Sequence, residues 1–134
     1  MIKNFEPHAT ILWEEELNAV HIEWKKLYMP LERFVEICNA AVEVVIEKKA
    51  TVWLGNQYNS EGVFNKEIKE AIAEGAEPMK QIGVNKLLTI MPKTMGLSSL
   101  NTKSWINGIK GNDGLDMAEF ATLEECREWI LANK

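Results

Sequence analysis

Few of the residues that carry chemistry occur in this chain. Its 134 residues include two histidines and two cysteines, without the spacing of a Cys/His metal site or a Cys-x-x-Cys redox pair. No strong catalytic or nucleotide-binding signature stands in their place, so the sequence offers no case for an enzyme, a metal or a cofactor. Long apolar runs are also missing: none approaches the roughly 20 residues of a membrane-spanning helix. The first residues, Met1-Ile-Lys-Asn-Phe-Glu6, lack the basic-then-apolar layout of a signal peptide, and a cytoplasmic protein without a membrane-spanning segment is expected. Clustered positive charge is absent too. Fifteen basic residues face 20 acidic ones, for a formal charge of −5, and the cations stand singly or in pairs such as Lys25-Lys26 and Lys48-Lys49. Nucleic-acid binding rests on grouped cations, so no nucleic-acid partner is expected.

What is present is an apolar complement large enough for one ordinary domain, residues 1–134. Hydrophobic residues make up 46% of the chain, which suits a core built without disulfides and argues against disorder. Cys38 and Cys126 fall on apolar helix faces, where a free buried thiol acts as a small hydrophobe.

The C-terminal third is the most legible. Leu115 to Phe120 reads as a strand of mixed polarity, and Thr122 with Glu125 forms a capping box in front of the helical stripe Leu123, Cys126, Trp129 and Ile130. Further upstream, Ala9–Glu14 and Leu17–Lys25 are extended segments, the second with a period of two. Pro30 suits the first turn of a helix whose stripe runs from Leu31 to Ile46 and ends at Lys48-Lys49. Thr51–Leu54 is a short strand. A second helical stripe from Phe64 should break near Gly75–Glu77, because Pro78 lacks an N–H and crowds the preceding turn. Lys86–Met91 is the most apolar strand and the candidate for the buried middle of the sheet, with Leu88 and Ile90 inside. Residues 96–112 allow a further short helix, loosely ended by glycines.

The resulting order predicts an α/β domain with an approximately five-stranded, mostly parallel sheet. Successive right-handed crossovers place their helices mainly on one face. The other face must then be solvated, covered by a terminus, or used for association.

Two passages resemble a known family. Glu77-Pro-Met-Lys-Gln-Ile-Gly-Val-Asn-Lys-Leu-Leu-Thr-Ile-Met-Pro92 and Phe120-Ala-Thr-Leu-Glu-Glu-Cys-Arg-Glu-Trp-Ile130 are similar to segments of small bacterial STAS/SEC14-like proteins, and the element order resembles the SpoIIAA-like fold. The resemblance implies a non-enzymatic regulatory or protein-interaction domain with an unknown protein partner. Its Sec14/CRAL-TRIO side implies a carrier or sensor of a lipid or other small apolar molecule, with the broken second helix and the 96–114 segment as a gate. The Asp-Ser or Asp-Thr phosphoacceptor of STAS antagonists has no counterpart here, since the third strand runs into Gly55-Asn56-Gln57-Tyr58-Asn59-Ser60.

Ser60 is the one hydroxyl near the expected start of the second helix, and it reads either as a phosphoacceptor or as an ordinary loop or capping residue. His8 and His21 show no second group in reach and read as structural or surface residues. The acidic runs Glu14-Glu15-Glu16 and Glu124-Glu125 read as a solvated turn and a helix start. Trp53 alternates with Val52 and Leu54. If those two meet the helices, Trp53, Leu87 and Met91 share the open face and form the interface of a twofold homodimer; otherwise the third strand is buried on both sides.

Overall fold

A computed structural model describes residues 2–93 and 115–133. One mixed sheet runs in sequence order: β1 (Lys3–Phe5), β2 (Ala9–Glu14), β3 (Ala19–Trp24), β4 (Val52–Asn56), β5 (Lys86–Ile90) and β6 (Asp116–Phe120). β1, β2 and β3 pair antiparallel, and β3 to β6 pair parallel. Among the described residues four helices accompany it: α1 (Leu31–Lys48), α2 (Lys66–Glu74), α3 (Ala76–Gln81) and α4 (Leu123–Ala132). The sheet therefore has six strands rather than about five. The extra one, Lys-Asn-Phe, is three residues long and partly exposed, and carries too little alternation to announce itself.

Local chemistry explains the element ends. A 3₁₀ turn, Glu15–Leu17, joins β2 to β3 and ends at Asn18 with φ 51°, a left-handed position that asparagine tolerates better than most residues. The Asn18 amide then donates to Lys49 O and Thr51 Oγ1, both at 3.2 Å, tying the hairpin to the start of β4. Asn65 caps α2 by accepting from Ile68 N at 2.9 Å. The expected break near Pro78 is present: α2 stops at Glu74, and α3 restarts after Gly75. Pro78 is the third residue of α3, where the missing N–H has no intrahelical partner to lose. At α4, Glu125 N donates to Thr122 Oγ1 at 3.2 Å, while the Glu125 carboxylate reaches Ala121 N instead of the cap residue's own N–H.

Both faces of the sheet are covered. On one, Ile11, Val20, Ile22, Trp53 and Leu87 pack against Phe34, Ile37, Ala41, Val44 and Val45 of α1 and Ile68 of α2. On the other, Ala19, Val52, Leu54, Leu88 and Ile90 pack against Leu17 and against Cys126 and Ile130 of α4. Three of the four described helices thus lie on one face, and the C-terminal helix folds back across the face that the crossovers leave open.

This arrangement reverses the expected interface. Trp53 and Leu87 do share a pleat, paired in register, but that pleat faces α1, and Trp53, Leu87 and Met91 are all buried. The expected open-face surface is not on the outside of the fold. β4 is apolar on both sides, so its alternation could not tell one face from the other; the reading that buried it on both sides is the one observed. The expected helix within 96–112 lies outside the described residues.

Leu88 is fully buried between β4 and β6. Leu88→Ala should lower the unfolding free energy by about 2–5 kcal/mol in urea titration, whereas Tyr28→Ala, at 79% exposure, should change it by less than about 0.5 kcal/mol.

Candidate functional site

The core under the helices is not filled throughout. A cavity of about 350 Å³ lies between α1, the bend from α2 to α3, and the sheet. Phe34, Val35, Cys38, Asn39 and Val42 form one wall, a single stripe of α1. Ala71, Ile72, Gly75, Pro78, Met79 and Ile82 form the opposite wall, so the α2–α3 break supplies half of the enclosure. Trp24, Trp53, Gly55, Leu87 and Thr89 line the sheet side. The volume falls within the range of small-molecule pockets.

Gly55 has a specific part in this. It sits inside β4 on the face turned to α1, in register with Ile22 and Thr89, and a Cβ there would stand 3.7 Å from Trp24 Nε1. Glycine weakens a strand, and its presence marks a close approach. Here the Trp24 indole comes over the bare backbone. It is held by stacking on Phe34, with centroids 5.5 Å apart and planes 13° apart, and by an edge contact with Phe64 at 5.3 Å and 90°. Such pairs add directional stability beyond the area they bury.

The polar atoms of the cavity are few. They comprise the side-chain amides of Asn39 and Gln57, the indole N–H of Trp24 and the hydroxyl of Thr89; Trp24 and Thr89 are 5% and 7% exposed, and neither polar group hydrogen-bonds to another described residue. Among the described residues no charged side chain lines the space. Cys38 belongs to its wall, and burial pushes that thiol up to about 12 from its usual 9.0; Cys126, under α4, is raised to about 12 by the same cause. Both thiols are free.

A second polar group lies on the opposite face. His21, buried at 2% exposure, holds Glu14 Oε1 at 3.0 Å through Nδ1 and Asn56 Nδ2 at 3.1 Å through Nε2. Asn56 Oδ1 accepts from Tyr58 N at 2.9 Å, which leaves the Asn56 amide as the donor to Nε2. His21 Nε2 is then the acceptor and Nδ1–H the donor to Glu14. Both ring nitrogens are engaged, so the ring is held as a structural link and has no nitrogen free to serve as a base. Sequence reasoning read Glu14 as part of a solvated turn and saw no partner for His21. The hairpin register, Leu12 opposite His21, places Glu14 on its diagonal and was the signal that could have found the pair.

The remaining candidates stand apart from the cavity. Ser60 donates to Gln57 O at 2.8 Å within the loop after β4, and the capping of α2 belongs to Asn65. His8 Nδ1 lies 3.1 Å from Lys26 O. Among the described residues no group of three His, Cys, Asp or Glu side chains is placed to hold a metal ion. Nor is any helix long and apolar enough to cross a membrane. Comparisons of the chain with protein-family models, with curated proteins and with solved structures found no match.

Because the thiolate is the reactive form, native protein at pH 8 should react with a disulfide reagent at least about tenfold more slowly than the urea-unfolded chain. Equal rates would show that the two thiols are not shielded.

Proposed function

We propose that this domain binds a small apolar molecule between α1 and the α2–α3 bend, as a carrier or sensor and not as an enzyme. The observation that carries the reading is the cavity of about 350 Å³, walled mostly by apolar side chains and without a charged one among the described residues. The space opens to solvent at the exposed Val35 and Asn39 of α1, and a mostly apolar, concave pocket with a few polar groups is the usual form of a small-molecule site. The resemblance to SpoIIAA-like domains rests on the passages 77–92 and 120–130, and within it the cavity favours the Sec14-like side. A STAS-type interaction role draws less support. Trp53, Leu87 and Met91 are buried, and Ser60 is committed to the loop carbonyl.

Two measurements test this. Native mass spectrometry of the purified protein should show a bound small molecule, or a vacant protein that takes up 2-ethylnaphthalene with a rise in Tm and a change in tryptophan fluorescence. Ala71→Phe, which projects a ring from the α2 wall, should reduce that uptake at least about tenfold while the circular dichroism spectrum stays unchanged. Absence of uptake by the wild-type protein, with nothing bound at the outset, would refute the proposal.

A further inference from the structure

The polar atoms at the sheet side of the cavity narrow the class of ligand, an inference that rests on the binding role proposed above. Trp24 Nε1 is a donor and nothing else, and the Thr89 hydroxyl can donate or accept. Both residues are more than nine-tenths buried, line the cavity, and find no partner among the described residues. They flank one spot: Gly55 is in register with Thr89, and Trp24 Nε1 is the atom nearest to where a Gly55 Cβ would stand, at 3.7 Å.

Both polar groups open onto the space of the cavity and not onto a protein partner, so they are available to hydrogen-bond whatever occupies it. An indole placed here for packing alone would do as well with phenylalanine, whose ring also stacks. The tryptophan instead carries a donor into an apolar space, beside the strand position where a missing side chain leaves room. Among the described residues the walls hold no cation to neutralise an anion and no carboxylate to receive an ammonium group, and an ion buried without a partner is strongly disfavoured.

We infer that the cavity takes an uncharged, ring-sized organic molecule carrying a hydrogen-bond acceptor, a ketone, ester or ether oxygen, seated against Trp24 Nε1 and the Thr89 hydroxyl over Gly55. The hydrocarbon part lies between the α1 stripe and the α2–α3 wall. Fatty-acid anions and phosphate-bearing lipids are disfavoured at the floor of the site, because their charged ends would meet no counter-charge among the described residues.

Three probes of matched shape separate the possibilities: 2-acetylnaphthalene, which has the acceptor; 2-ethylnaphthalene, which lacks it; and 2-naphthoate, which is an anion at pH 8. Affinities are read by calorimetry and by tryptophan fluorescence. The ketone should bind about fivefold or more tighter than the hydrocarbon, the gain of one net hydrogen bond, and the carboxylate should bind at least about tenfold more weakly than the ketone. Thr89→Val keeps the side-chain shape and removes the hydroxyl; Trp24→Phe keeps a ring and removes the N–H. Each should shrink the ketone-to-hydrocarbon ratio towards one, and Thr89→Val serves alone if the tryptophan variant does not fold. Equal binding of ketone and hydrocarbon, tightest binding of the carboxylate, or a ratio unmoved in the folded variants would overturn the inference while leaving an apolar site standing. Failure of all three probes to bind would remove the inference and the binding role together.

Discussion

The structure depends on the need of β4 and β5 to be buried on both faces. Val52, Trp53 and Leu54 are all buried, as are Leu87, Leu88 and Ile90. A strand with apolar side chains on both pleats requires a layer above and a layer below. The crossovers α1 and α2–α3 furnish one layer. α4, returning from the edge strand β6, furnishes the other. The two layers differ in kind. α4 lays Cys126 and Ile130 onto Ala19, Leu54, Leu88 and Ile90, whereas α1 and the α2–α3 bend close over the sheet and still leave a cavity of about 350 Å³.

That difference follows from particular residues. Gly55 removes a side chain from the middle of β4, and Trp24 lies across the gap with its ring fixed by Phe34 and Phe64. Gly75 and Pro78 interrupt what would otherwise be one helix opposite α1. Each is unfavourable for regular structure taken alone, glycine in a strand and proline near a helix turn. Local rules broken together at one place are the usual mark of a site that serves something besides stability.

The two faces also treat buried polar groups in opposite ways. Glu14, His21, Asn56 and the Tyr58 N–H form a closed chain in which each group meets a partner. Such a chain ties the hairpin to the end of β4. The indole N–H of Trp24 and the hydroxyl of Thr89, equally enclosed, are left open towards the cavity. The contrast sets an open pair of polar groups on the α1 side of the sheet against a closed chain on the α4 side.

Much of the fold was legible in the sequence, because its signals are local. The Thr122 cap, the α1 stripe, the break near Pro78 and the apolar strand with Leu88 and Ile90 all rest on spacing of a few residues. The mainly parallel α/β order follows from those elements and from the hand of crossovers. Tertiary structure alone decided which pleat of β4 met which helix layer, since Val52, Trp53 and Leu54 are apolar on either side. It also brought Glu14 and Asn56 to His21, across 7 and 35 residues of sequence. The cavity belongs to the same category: its walls come from Trp24, Cys38, Gly55, Ala71, Met79 and Thr89. An empty space between distant elements has no local pattern, because it is set by how packed layers fail to meet and not by the preference of any one segment.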